Sequence, residues 1–351
     1  MNGRTIDIGG RPVGVGHPAF VIAEAGVNHN GDVDMACRLV DAAAEAGADA
    51  VKFQTFRAER LVSANAPQAE YAATNLGGST SQYDMLKALE LTDEDHRRLF
   101  RYCEERRILF LSSPFDEESA DFLESLDVLA FKVPSGELTN LGYLAHIAAK
   151  SRPMIISTGM ADLGEVEAAV RAVEGEGNYD YVLLHCVSNY PAAAEDANLR
   201  AMLTLEAAFG NPVGYSDHTL GLEVPLAAVA LGACVIEKHL TLDRSLPGPD
   251  HQASSEPDEL ANLVRGIRTV EAALGTGRKR PASSEASTAS VVRKSLVSAR
   301  DLTVGTVLTE AAITAKRPGT GLPLTMRPYV LGRLLRVDVP ADTVLTLDML
   351  E

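Results

Sequence analysis

A chain of 351 residues with 46% hydrophobic content suffices for one large core, or for a large domain and a small one. Its net charge of −16 argues against nucleic acid as a partner, because phosphate-backbone binders need a net positive footprint. No apolar run reaches the ~20 residues that span a bilayer, and the N-terminal stretch lacks the apolar core of a signal peptide. With four scattered cysteines (Cys37, Cys103, Cys186, Cys234) and no CxxC, this predicts inert, buried thiols in a cytoplasmic protein with no membrane partner.

In chain order, IDIGGRPVG (6–14) reads as a small hairpin turning at Gly9-Gly10. From residue 20, short apolar runs alternate with Ala-rich amphipathic segments. The predicted strands are 20–26, 50–56, 108–113, 128–134, 153–158, 181–187, 212–216 and 234–240. Helical patterns lie between them, such as 34–47, closed by Gly47 as a C-cap, and 92–107, opened by Thr92 with Asp95 as a capping box. A last helix is predicted within 256–275. Eight βα units in about 250 residues, with strands apolar enough to be covered on both faces, predict a TIM (β/α)8 barrel. A doubly wound open sheet is the alternative, but no GxGxxG follows the first strand. The stretch 66–86 reads as a long loop, of a length that is usually functional.

After residue 275 the composition changes. The division expected is a barrel with its hairpin over 1–280, a polar linker over 281–290, and a small β-rich domain over 291–351 with runs at 295–302, 306–313 and 329–339.

Active sites of TIM barrels lie at the C-terminal ends of the strands. The strand ends here carry Glu24, with Asn28 and His29 beyond it; Lys52 and Gln54; Ser112 and Ser113; Lys132, Ser135 and Glu137; Ser157 and Thr158; His185, Ser188, Asn189 and Tyr190; Ser216, Asp217 and His218; and Glu237, Lys238 and His239, with Asp250 further on. A lysine inside an apolar strand must be paired or must contact an anion, so Lys52 and Lys132 with the hydroxyls suggest a site for phosphate or carboxylate. His218 and His239, at adjacent strand ends, could share one divalent ion with open positions, a Lewis-acid arrangement that suits Mn²⁺. Read alone, a strand-end histidine is more often a hydrogen-bonded structural residue. His185 reads as core, and Glu237 and Lys238 as partners of their neighbours.

Nine segments in register along residues 20–323 carry a resemblance. IAEAGVNHNG, AVKFQTF, SSPFD, FKVPSGE, ISTGM, HCVSNYP, GYSDHT, IEKHLTLDRSLPGPDHQAS and KRPGTGLP resemble the N-acetylneuraminate (sialic acid) synthase family, which includes legionaminate synthases. The resemblance implies a TIM barrel followed by a small SAF (antifreeze-like) domain, and a domain-swapped homodimer. It implies condensation of phosphoenolpyruvate with N-acetylmannosamine, or alternatively with 2,4-diacetamido-2,4,6-trideoxymannose, releasing phosphate by C–O cleavage. It places phosphoenolpyruvate on Lys52, Ser113, Lys132, Ser135, Ser157, Ser188 and Ser216. The sugar falls to Gln54, Tyr190, Asp250 and a partner chain's Arg317, with Glu24 nearby. His218 and His239 become ligands of Mn²⁺, with Mg²⁺ or Co²⁺ as substitutes. Glu24, Glu137, His218 and His239 form the expected catalytic set. A non-catalytic sugar-phosphate sensor and a Schiff-base aldolase are the readings from other classes.

Overall fold

The computed structural model describes residues 4–64, 66–67 and 81–351. The chain divides into two compact units, 1–275 and 276–351.

The first unit opens with an antiparallel hairpin, β1 (Thr5–Ile8) and β2 (Arg11–Gly14), turning through Gly9 and Gly10 at positive φ. Eight parallel strands follow: β3 (Phe20–Gly26), β4 (Ala50–Thr55), β5 (Leu109–Pro114), β6 (Phe131–Val133), β7 (Met154–Ser157), β8 (Tyr181–Cys186), β9 (Val213–Asp217) and β10 (Val235–His239). Their order, β5-β4-β3-β10-β9-β8-β7-β6, brings the two end strands β5 and β6 side by side, so the sheet curls into a nearly closed TIM barrel. All eight strand predictions hold to within three residues at either end.

Helices coat the outside. Helix α1 (Val33–Ala46) starts at Asp32, whose side chain accepts from Asp34 N and Met35 N, and ends at Gly47 in the left-handed conformation. The stretch read as one long loop is preceded by a short helix, α2 (Ala58–Leu61), and its C-terminal part opens another, α3 (Gln82–Leu89), while residues 68–80 lie outside the described residues. Ser81 caps α3 by accepting from Asp84 N, a signal the polar character of the stretch concealed. Helix α4 (Asp93–Arg106) opens on the capping box of Thr92 and Asp95. The outer layer continues through α5 (Glu117–Ser125), α6 (Leu141–Ala148), α7 (Leu163–Gly175), α8 (Ala201–Phe209), α9 (Glu223–Ala230) and α10 (Pro257–Leu274).

Two apolar layers result. Outward-facing strand residues such as Val21, Phe53 and Phe131 pack under the helices. Inward-facing Phe20, Ile22, Ala50, Leu111, Ala130, Ile155, Leu184 and Val235 form a second cluster with Ile6, Ile8 and Val13 of the hairpin. The hairpin thus plugs the N-terminal end of the barrel, and each of its fully buried isoleucines contributes about 1.5–3 kcal/mol through removal from water.

The second unit has its own core, including Leu296, Leu308, Val330 and Leu345. It contains one antiparallel pair, β11 (Ser295–Ser298) and β12 (Ile313–Lys316), and single bridges elsewhere. The run 329–339 is not a strand. It begins inside helix α12 (Arg327–Val330), passes Gly332 at φ 85°, and then makes only isolated bridges from Leu334, Leu335 and Val339. The stretch read as linker is also partly helical, since α11 occupies Ala286–Val292. No helix among the described residues is long and apolar enough to cross a membrane.

Candidate active site

Side chains on a strand alternate between its two faces. The residue two positions beyond an apolar inward residue therefore points into the barrel one layer higher. From Ile22, Ala50, Leu111, Ala130, Ile155, Leu184, Gly214 and Val235 this step reaches Glu24, Lys52, Ser113, Lys132, Ser157, Cys186, Ser216 and Glu237. A polar ring sits on an apolar floor, and every one of these eight residues lines a single cavity of about 540 Å³ at the C-terminal mouth. Gln54, Ser135, Ser188, Tyr190, His218, His239 and Asp250 complete its polar wall.

The floor of the cavity is an alternating charge array. Lys52 Nζ lies 3.0 Å from Glu237 Oε1 and 3.2 Å from Glu24 Oε2, and Lys132 Nζ lies 3.7 Å from the same Glu237 oxygen. Ser216 Oγ donates to Glu237 Oε1 at 3.0 Å, and Lys132 donates to Ser157 Oγ at 2.7 Å. All four charged groups are buried, so each one's charge depends on the others. Burial drives Glu24 up to about 8 against the pull of Lys52. Burial also disfavours the Glu237 carboxylate, but Lys132 and Lys52 outweigh it and hold that group down to about 2. Lys132 is lowered to about 8 by burial, with Glu237 resisting. Ser113 Oγ and Glu237 Oε2 are buried without a hydrogen-bond partner in the protein, a cost that a binding site offsets when its ligand arrives.

The two histidines face each other with ring centroids 5.4 Å apart. His218 Nδ1 lies 2.6 Å from Val187 O; a carbonyl only accepts, so Nδ1 carries the proton and Nε2 keeps its lone pair. His239 Nδ1 is buried and unpartnered. Burial lowers both imidazoles, which keeps them neutral at pH 7. Two neutral imidazoles with a fixed tautomer and an orphaned nitrogen fit a divalent ion. Among the described residues, no cluster of three or more His, Cys, Asp or Glu side chains forms a metal site. The Tyr190 ring lies 4.1 Å from that of His218. Asp250, over the same space, is raised to about 6 by burial.

One side of the mouth is apolar, formed by Val27, Leu61, Val62, Met85, Leu86, Leu89 and Phe115. Most of these come from α2 and α3, so the stretch read as a loop supplies wall residues.

One residue of the expected catalytic set, Glu137, is not in the wall. Glu137 belongs to a single helical turn over Ser135–Glu137; its neighbours Ser135 and Gly136 line the cavity, whereas its own carboxylate accepts from Asn140 Nδ2 at 3.0 Å. Arg317, in the second unit, is exposed and makes no ion pair among the described residues. His185 points outward, half-buried, with Nε2 bonded to Ala197 O at 2.8 Å. Lys238 also points outward and is a structural partner of Asp217. Cys186 is a cavity residue that the strand-end reading passed over, and Glu237, read as a partner of its neighbours, pairs with Lys52 and Lys132 inside the cavity. All four thiols are free and buried, but Cys186 lines the cavity and is not inert core filling. The two-residue step from Leu184 and Val235 is the signal that identifies both.

Comparison with known proteins agrees with this architecture. The NeuB family model matches residues 39–279 and the SAF domain model matches residues 293–351. An N,N'-diacetyllegionaminic acid synthase of Legionella pneumophila is 51% identical over 345 residues, 97% of each chain. The human N-acetylneuraminate-9-phosphate synthase is 41% identical over 308 residues, 88% of this chain and 85% of its own. The crystal structure of an N-acetylneuraminic acid synthetase from Leptospira borgpetersenii, in complex with citrate, superposes with a TM-score of 0.73 at 37% identity, covering 82% of this chain and 95% of that one. With the polar ring, the paired histidines and the two matched domains in place, the chain belongs to the NeuB family.

Proposed function

We propose that this protein is a synthase that joins phosphoenolpyruvate to the open-chain aldehyde of an N-acylated mannosamine-type sugar. Water is consumed, phosphate is released, and the product is a nine-carbon 2-keto-3-deoxy acid. The observation that carries this reading is the single cavity in which two buried lysines and a ring of hydroxyls face two neutral histidines.

Lys52 and Lys132, with Ser113, Ser135, Ser157, Ser188 and Ser216, hold the phosphate and carboxylate, so that two anions can be buried together. Gln54, Tyr190 and Asp250 line the sugar side. Glu24, whose carboxyl burial raises against the pull of Lys52, accepts from Gln54 Nε2 and would position sugar hydroxyls. His218 and His239 would hold a divalent ion, Mn²⁺ on the preference of an open N/O site. That ion, when bound, supplies Lewis-acid polarisation of a carbonyl oxygen. The phosphoenolpyruvate methylene carbon attacks the aldehyde carbon, cationic character develops at the enol carbon, water adds there, and phosphate leaves with C–O cleavage. Glu137, next in its turn to the wall residues Ser135 and Gly136, is the candidate for guiding the water once its carboxylate leaves Asn140.

The acceptor favoured by the sequence alone, N-acetylmannosamine, gives way to 2,4-diacetamido-2,4,6-trideoxymannose. The 51% identity to a diacetyllegionaminic acid synthase supports the diacetamido sugar. So does the apolar wall of Val27, Met85, Leu86 and Leu89, which suits a methyl group where N-acetylmannosamine carries a hydroxymethyl. The reading includes a cytoplasmic homodimer in which Arg317 of one chain contacts the sugar bound by the other; the guanidinium of Arg317, exposed and without an ion pair among the described residues, supports it.

The test is phosphate release from phosphoenolpyruvate by metal-stripped protein, with and without Mn²⁺, offering each of the two sugars. Metal-dependent release with the diacetamido sugar, at higher kcat/KM than with N-acetylmannosamine, is expected. Release with the reverse preference would restore the first acceptor, and no release with either would end the synthase reading.

A further inference from the structure

Gly159 follows strand β7 and is buried beside the cavity. Its φ lies outside the left-handed range, so the backbone there would accept any residue. Space is what the position lacks. A Cβ at Gly159 would stand 2.3 Å from Ser188 Oγ, 2.8 Å from Ser135 Oγ and 2.9 Å from Cys186 Sγ. Three polar side chains from β6, β8 and their loops thus converge on one hydrogen-bearing Cα. Two of the three are tied together there: Gly159 N donates to Ser135 Oγ at 3.0 Å, and Ser135 Oγ lies 3.1 Å from Cys186 Sγ. Ser135 and Ser188 line the same cavity as Lys132.

We infer that Gly159 is a positioning residue for the anion cradle: its missing side chain lets the Ser135 and Ser188 hydroxyls approach each other closely enough to grip one anionic group of phosphoenolpyruvate together. The inference rests on the functional reading above. It also separates function from folding. The atoms that a methyl group would displace are the mobile ends of side chains, not backbone, so the chain tolerates the methyl by turning the hydroxyls away. Stability survives that adjustment and the grip on the anion does not.

The experiment is a double-mutant cycle on the full chain with Gly159→Ala, Ser188→Ala and both together. Readouts are the thermal midpoint, KM for phosphoenolpyruvate against KM for the sugar, and direct calorimetric binding of phosphoenolpyruvate and of inorganic phosphate. Gly159→Ala is expected to shift the midpoint by less than about 2 °C. It should raise KM for phosphoenolpyruvate roughly tenfold or more, equivalent to about 1.4 kcal/mol, and leave KM for the sugar within about twofold. With the Ser188 hydroxyl already gone, adding Gly159→Ala should cost clearly less than it does alone.

The inference is overturned if KM for phosphoenolpyruvate is unchanged, if the two substitutions are additive within about twofold, or if the midpoint collapses and both substrates suffer alike. A wild-type chain that binds no phosphoenolpyruvate would defeat the functional reading instead. The cradle would then stand or fall on whether Gly159→Ala weakens binding of inorganic phosphate.

Discussion

Lys238 Nζ donates to Asp217 Oδ2 at 2.6 Å in an ion pair that is almost wholly buried behind the barrel wall. Each partner is chain neighbour to a histidine of the cavity, Asp217 to His218 and Lys238 to His239. Lys238 also bonds Gly221 O, while Asp217 Oδ1 accepts from Thr219 N and Thr219 Oγ1, so the turn carrying His218 is pinned to the strand carrying His239. Breaking one partner of a buried pair leaves an uncompensated charge. Lys238→Met is therefore expected to cost about 3–5 kcal/mol in denaturant unfolding, and Asp217→Asn in the same chain should recover part of it. A loss below about 1 kcal/mol for Lys238→Met would show that the pair is not holding the turn.

The carboxyl of Asp250 binds its proton more tightly in the folded chain, at about 6, than its ordinary value of 3.8. Its contribution to stability is complete below 3.8 and is lost as pH rises through about 6. At about 1.36 kcal/mol per pH unit, the separation amounts to roughly 3 kcal/mol at pH 8. Asp250→Asn should accordingly raise the thermal midpoint at pH 8 and raise it less at pH 5, while turnover falls. Equal gains at both pH values would mean that the carboxyl is not desolvated.

Removal of one imidazole should separate metal binding from folding. His218→Ala, passed through a desalting column after loading with Mn²⁺, is expected to retain far less metal than the wild type and to keep its far-ultraviolet dichroism. Equal metal content measured by atomic absorption would remove His218 from the ligand set.

Acceptor choice should respond to the apolar side of the mouth. Met85→Gln places an amide where the deoxy sugar's methyl group would lie. The ratio of kcat/KM for the diacetamido sugar over N-acetylmannosamine is expected to fall roughly tenfold, the value of one well-packed methyl group. No change in the ratio would place the methyl elsewhere.

Much of this site was legible before any coordinates. The lysines, serines and histidines of the cavity follow from their place at the C-terminal ends of the eight predicted strands. Cys186 escaped because its neighbourhood is apolar, and Glu237, rightly read as a partner of lysines, was not placed in the cavity where it meets Lys52 and Lys132. Counting two residues up from the floor would have caught both. Helix α3 escaped for a different reason: its only sharp signal is the Ser81 cap, and its apolar face is decided by the cavity it covers. The second unit was hardest to read, because single bridges between short segments leave no periodicity in the sequence.

The hairpin plug has a consequence for traffic. With Ile6, Ile8 and Val13 stopping the far end, the barrel is a vessel with one opening. On the proposed function, phosphoenolpyruvate held by Lys52 and Lys132 would have to pass Met85 of α3 and Asp250 to reach its place, and a sugar seated beside those two residues would stand in its way. Loading would then be sequential, the phosphate ester first and the sugar behind it, with the water that the reaction consumes already inside when the second guest arrives.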